Sequence, residues 1–340
     1  MSLTVMEMVY EKAKKLNRKI CLTESDDPRN LKAATKLVET GYALPVLVGN
    51  SAAIEKMAHE QSIDLKGVEI VDIYNWPKFS QYVEMIVEKR KSKGMTSEMA
   101  RKWLMDTCVF AAAMVCAGDV HGYVSGGGNP KGYNHHTGSK IKPALQLFKT
   151  APGVRIASTC FIMQLQNKKF GFNGALFYAD CVLNINPNAD QLADIAVATA
   201  KTFKFLTGAE PWVGMISAST KGSAKNPIID KVVQATAKAR AMAPEFKIDG
   251  EFQFDTALIP EIGAHKAAGS EVAGHCNVLI FPDLNCGNTI YKATERLAGA
   301  VATGPITQGL RRPFSDVSRG CSVDNIVDSS AMTAVTEWTE

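Results

Sequence analysis

The sequence predicts a two-domain α/β protein built on mostly parallel sheets with helices on both faces. Three observations carry this reading. Short β-branched or apolar runs alternate with amphipathic helical stretches, the pattern of strand–crossover–strand units. The chain has 340 residues, long for one core and comfortable for two. Several polar, glycine-containing segments fall directly after predicted strands, where ligands bind in such sheets.

The elements follow in order. Residues 19–23 form a short predicted strand, and the turn ESDDPRN follows it. Pro28 suits a helix first turn, and residues 31–38 continue that helix. Residues 43–48 and 68–73 read as the next strands, the first closed by Gly49-Asn50. Residues 77–93 and 97–116 read as long helices. Residues 120–125 form a strand that runs into a glycine cluster, and a helix resumes near Ser139. Strands are predicted at 153–163, 171–178, 212–217 and 278–281, with a helix at 190–205 and further helices between and after the later strands. Turn-forming Ala151-Pro152-Gly153 and Thr303-Gly304-Pro305 mark the boundaries. The first domain is then 1–151 plus 304–340 and the second 152–303, with a ligand cleft expected between them.

Composition narrows the function classes. The chain is 46% hydrophobic and 21% charged, as an ordinary globular enzyme would be. The net charge is only +4 and its cations are scattered, so no nucleic-acid partner is expected. The first ten residues do not read as a secretory signal, and the longest apolar stretches, such as 109–115, are too short to span a bilayer. Eight cysteines are dispersed without a CxxC, which fits reduced thiols and a cytoplasmic location.

Four loops could carry chemistry. Ser318-Arg319-Gly320-Cys321-Ser322 precedes a helical stretch at 324–335, with Ser322 as its expected N-cap. The first-turn amides would face an anion, and Arg319 adds a planar donor fork that matches phosphate. Cys321 is expected to have a lowered thiol pKa at this helix start. A plain capped helix with a surface arginine is the alternative. Ser219-Thr220-Lys221-Gly222-Ser223-Ala224-Lys225 joins a strand to a helix, and its amides, hydroxyls and ammonium groups could hold phosphate oxygens. A solvated turn is the alternative there.

The loop SGGGNPKGYNHHT at 125–137 matches neither the dinucleotide fingerprint nor the P-loop, because Tyr133 stands where the latter requires lysine. His135 and His136 are adjacent and would point apart in extended chain, so no metal is expected. Asp283 to Asn288 could line a pocket, or cap the following helix through Asn285 or Asn288. Read from the residues alone, this is a phosphate-handling cleft enzyme.

Long ordered stretches carry a family likeness. They are ESDDPRNLKAA from Glu24, KPALQLFKTAPGV from Lys142, ALFYADCVLNINPNADQLADIA from Ala175 and MISASTKGSAKNP from Met215. DGEFQFD from Asp249, GHCNVLIFPDLNCGN from Gly274, GPITQGL from Gly304 and DVSRGCSVDNIV from Asp316 complete the set. Over nearly its full length the chain resembles the phosphate acetyltransferases and the related phosphate acetyl/butaryl transferases. The resemblance implies a fold related to isocitrate and isopropylmalate dehydrogenases, usually homodimeric. It implies no tightly bound cofactor and no metal in the chemistry, with coenzyme A as a substrate.

The implied reaction is acetyl phosphate + CoA ⇌ acetyl-CoA + phosphate, by direct attack of the CoA thiolate in a ternary complex. By the same resemblance Arg319 holds the phosphoryl group, Arg90 meets CoA or acyl-phosphate oxygens, and Ser318 hydrogen-bonds near the reacting carbonyl. Thr137, Lys142, Cys321, Ser219, Thr220, Lys221, Ser223, Asp283, Asn285, Gly304 and Pro305 join the expected substrate-binding set.

Three departures from the family pattern lie in that set. Asn325 stands where an aspartate base is expected, with Asp324 the only nearby acid. His136 replaces a serine and is a candidate substitute base. Lys142 replaces an arginine, after a loop about six residues longer than expected. The rival readings are a butyryl- or propionyltransferase, and a paralogue that binds CoA or acyl phosphate without turnover.

Overall fold

The computed structural model describes residues 3–126 and 137–339, with the main chain alone for 137–139. Two compact units are present, Val9–Pro152 with Leu310–Glu340, and Gly153–Gly309 with Met1–Met8.

The first unit begins with α1 (Val5–Leu16), β1 (Lys19–Leu22), α2 (Pro28–Thr40), β2 (Leu44–Gly49), α3 (Ser51–Glu60) and β3 (Glu69–Asp72). It continues through α4 (Phe79–Arg90), a 3-10 turn at Lys91–Lys93, α5 (Ser97–Trp103), α6 (Thr107–Ala117), β4 (Gly122–Gly126) and α7 (Thr137–Leu147). The single helix expected over 97–116 is two helices. Asp106 breaks it, because its side chain accepts the Cys108 N–H at 2.8 Å and the Val109 N–H at 3.2 Å and so caps a new start. α6 is apolar on every side and buried along most of its length.

The second unit holds β5 (Ser158–Gln164), β6 (Ala175–Ala179), α8 (Ala189–Thr207), β7 (Trp212–Ile216), α9 (Pro227–Met242) and β8 (Lys247–Phe252). After α10 (Phe254–Leu258) and α11 (Pro260–Lys266) come β9 (Val278–Ile280), α12 (Leu284–Leu297) and β10 (Val301–Gln308). The chain then returns to the first unit as β11 (Phe314–Val317) and α13 (Val323–Val335). Gly304 and Pro305 therefore lie inside β10, in the unit of residues 153–309.

In the first unit the strands run β3-β2-β1-β4-β11, all parallel. Ile20, Leu22, Val46, Leu47, Phe110 and Tyr123 are buried in its core. In the second unit the order is β10-β5-β6-β9-β7-β8. β5 runs antiparallel to both neighbours, and β6, β9, β7 and β8 are mutually parallel along the row. Its core gathers Phe161, Met163, Tyr178, Phe252 and Phe281.

β8, β10 and β11 were not expected from the residue pattern, for a shared reason. Each carries polar residues or Gly-Pro where a buried strand would show an apolar run. The polar side chains are buried with partners instead. Ser315 and Thr333 hydroxyls lie 2.8 Å apart, and Lys140 pairs with Asp316 at 3.2 Å. β5 starts later than expected because Gly153 turns the chain at φ +76°, in the left-handed region.

Candidate active site

The carboxyl ends of β1, β4 and β11 lie side by side, since β1 pairs with β4 and β4 with β11. Three expected site residues belong to the turn after β11. Ser318 accepts the Cys321 N–H on its carbonyl at 3.0 Å and the Gly320 N–H on its hydroxyl at 3.3 Å, which folds the chain back sharply. The Arg319 side chain is exposed. Ser322 then caps α13 by accepting the Asn325 N–H at 3.2 Å. The expected N-cap is the observed one.

Asn325 completes a capping box. Its amide oxygen accepts the Ser322 N–H at 3.0 Å and the Ser322 hydroxyl at 3.1 Å. Asp324 turns to Lys36, whose Nζ lies 2.6 Å from its carboxylate at the surface.

The expectation for Cys321 is overturned. Its residue is 7% exposed, and burial raises the thiol pKa; the Arg29 charge opposes that shift without cancelling it. The helix starts at the expected N-cap, but Cys321 beside it is buried, and desolvation disfavours the thiolate.

The turn is held by residues that pattern reading did not single out. Arg29 Nη1 donates to the Arg319 carbonyl and to the Cys321 carbonyl, each at 2.9 Å. Asp27, 4% exposed, grips Arg29 through Nη2 at 2.7 Å and Nε at 3.1 Å, and caps α2 through the Arg29 N–H at 2.8 Å. Buried Glu24 accepts the Thr23 hydroxyl at 2.6 Å, the Ser125 hydroxyl at 2.8 Å and the Gly126 N–H at 2.7 Å. Asn30 donates to the Gly126 carbonyl at 3.2 Å. Gly126 has φ +141°, and a Cβ there would stand 2.3 Å from the Val317 carbonyl, so glycine alone lets β4 close on β11. The one available signal was the carboxylate–arginine spacing within ESDDPRN.

Other expected residues of this unit are placed as follows. Arg90 ends α4, with its guanidinium 5.6 Å from the centre of the Trp103 ring. Lys142 is exposed on α7, whereas Lys140, two residues earlier, is buried against Asp316. The Thr137 side chain and all of His136 lie outside the described residues.

In the second unit the Ser219–Lys225 loop is held by its own hydroxyls and by residues of and just after β8. Buried Glu251 accepts the Ser219 hydroxyl and the Gly222 N–H, both at 2.8 Å. The Ser219 and Ser223 hydroxyls are 3.2 Å apart, and Thr220 accepts the Gln253 N–H at 2.9 Å. Lys221 turns back to Asp249 at 2.7 Å and to the Gly250 carbonyl at 2.8 Å. Of the two ammonium groups expected to face an anion, that of Lys221 is therefore employed in shaping the loop, whereas Lys225 is exposed.

Asp283, rather than Asn285 or Asn288, caps α12, accepting the Cys286 N–H at 3.0 Å. Its carboxylate also meets the positive end of the α12 dipole. Asn285 is exposed, and Asn288 donates to the Cys181 carbonyl at 3.0 Å. Gly304 and Pro305 sit where the β10–β5 register shifts, between Thr303 and Ile306. Among the described residues no cluster of His, Cys, Asp or Glu is grouped to hold a metal ion. No helix among them is long and apolar enough to cross a membrane.

The sequence profile of the phosphate acetyl/butaryl transferase family matches residues 4–334. A phosphate acetyltransferase from Acetivibrio thermocellus is 47% identical over 333 residues, covering 98% of both chains. A phosphotransacetylase structure from Streptococcus pyogenes superposes with a TM-score of 0.90 at 38% identity, covering 98% of each chain. One from Staphylococcus aureus gives 0.88 at 36% identity over 97% of each.

Proposed function

This chain belongs to the phosphate acetyl/butaryl transferase family, and from that premise we propose that it is a phosphate acetyltransferase. It interconverts acetyl phosphate and CoA with acetyl-CoA and phosphate. The observation that carries the reading is the 47% identity to a phosphate acetyltransferase across 98% of both chains.

In the proposed reaction the CoA thiolate attacks the acyl carbonyl carbon. The C–S bond forms, the bond from carbon to the phosphate oxygen breaks, and phosphate leaves with that electron pair. No covalent acyl-enzyme is formed. Arg319 meets the phosphoryl oxygens and balances their charge as the bond breaks, a task suited to a placed guanidinium. Ser318, one residue before it, donates toward the carbonyl oxygen. The exposure of both side chains supports these roles, and the Ser318 hydroxyl keeps its proton to donate while it accepts the Gly320 N–H at 3.3 Å. Arg90, Lys142 and Thr137 are proposed to bind CoA or acyl-phosphate oxygens.

The thiol proton needs an acceptor. Asn325 has no basic atom and is engaged in the capping box. His136 is proposed in its place, because imidazole is a suitable base at neutral pH.

We also propose a homodimer in the cytoplasm with no tightly bound cofactor. The free state of all eight cysteines fits a reducing compartment. The decisive test follows free thiol with CoA and acetyl, propionyl or butyryl phosphate. Fastest turnover with acetyl phosphate is expected. Thermal stabilisation by CoA without turnover of any acyl phosphate would overturn the reading.

A further inference from the structure

We infer that Arg29, gripped by Asp27, is a positioning residue that sets the conformation of the Ser318–Cys321 turn. The inference rests on the phosphate acetyltransferase reading for its consequence, but its geometry stands apart from it.

One guanidinium nitrogen, Nη1, holds the carbonyls of Arg319 and Cys321, the two that flank the Gly320 peptide, at 2.9 Å each. A glycine-containing turn has many conformations to lose, and both of these anchors come from outside the turn. Arg29 is itself fixed. Its Nη2 and Nε are bound by the Asp27 carboxylate at 2.7 and 3.1 Å, and Asp27 is 4% exposed. Asp27 also begins α2, so the grip is built into a rigid element rather than a loop.

The neighbouring contacts point the same way. Glu24 and Asn30, from the same ESDDPRN segment, hold the N–H and the carbonyl of Gly126 at 2.7 and 3.2 Å. Gly126 is the register partner of Val317, the residue just before the turn. One short segment therefore holds β4 where it leaves the sheet and the chain just past the end of β11. Arg29 acts through backbone, so its loss should displace the Arg319 side chain without removing a charge from the substrate.

The experiment has two arms. In the first, Arg29→Ala and Asp27→Asn are compared with the parent for the rate at which a thiol reagent modifies Cys321, read by peptide mass spectrometry. Asn is also a good N-cap, so the second variant keeps α2 and loses only the charged grip. Release of the turn is expected to speed Cys321 modification about tenfold or more in both variants, with little change in thermal midpoint in Asp27→Asn, which leaves no buried carboxylate unpaired. An unchanged Cys321 rate in both variants overturns the inference, whatever the protein catalyses.

The second arm is kinetic. Arg29→Ala should lower kcat about 10²-fold, the scale of a small misplacement, with far smaller changes in KM. Added guanidinium should restore part of kcat. In an Arg319→Lys background the same change should cost little more, because both act through one group. A loss confined to KM for CoA, or full additivity with Arg319→Lys, would mean that Arg29 contacts substrate directly and overturns the positioning role. Absence of turnover in the parent enzyme would instead refute the functional reading, leaving the Cys321 arm to decide the clamp.

Discussion

Asn325 accepts the backbone N–H of Ser322 at 3.0 Å, while Ser322 Oγ accepts the N–H of Asn325 at 3.2 Å. The residue at the position where the resemblance implies a base is thus half of a helix cap. A carboxylate keeps that acceptor and suits a helix first turn. Asn325→Asp is therefore expected to fold with an unchanged or higher thermal midpoint and to raise kcat/KM about tenfold, toward the ~10²–10⁴ a placed base contributes. Asn325→Ala should instead lose about 1 kcal/mol of stability. Unaltered kcat/KM in Asn325→Asp would show that this position takes no proton.

If His136 replaces that base, kcat/KM should rise with pH through the imidazole range near ~6.5, because the neutral ring is the active form. His136→Ala should flatten that limb, and Asn325→Asp should partly restore activity to the variant. An identical pH profile in His136→Ala would exclude the histidine.

Arg319 is exposed and its backbone, not its side chain, is held by the fold. Arg319→Lys should therefore leave the unfolding transition in place while lowering turnover about 10²–10³-fold, the usual loss for a placed charged donor. Near-parental turnover would remove this residue from the mechanism.

The Cys321 thiol should react slowly near neutral pH. Burial holds its pKa above the ordinary thiol value, so less thiolate is present at pH 7 than in a free cysteine. Its modification rate should climb as pH rises beyond the ordinary thiol range. Cys321→Ala should keep activity, because direct attack uses no enzyme nucleophile. Trapping an acyl group on Cys321 would refute direct attack.

Glu24 is 6% exposed and receives donors from Thr23, Ser125 and Gly126. Glu24→Ala leaves those buried donors without an acceptor, at about 1–3 kcal/mol for each group that water cannot reach. A loss of roughly 3 kcal/mol or more in denaturant unfolding is expected. Glu24→Gln should lose less, since its amide oxygen still accepts.

Local chemistry was legible without the fold. Pro28 at a helix start, Ser322 as an N-cap and the alternation of apolar runs with amphipathic stretches depend on residues close in the chain, and each is where the pattern placed it. Family membership was legible for the same reason, being written in contiguous stretches such as SRGCS and STKGSAK. What required tertiary structure is the partnering of polar groups distant in sequence. Arg29 reaches a carbonyl 290 positions away, Glu24 meets Gly126 across 102, and Glu251 meets Ser219 across 32. Those contacts decided that Lys221 faces Asp249, that Cys321 is buried, and that the polar strands β8 and β11 are largely buried. A buried charge is stable only with its partner in place, and a partner's position belongs to the folded chain rather than to the residues beside it.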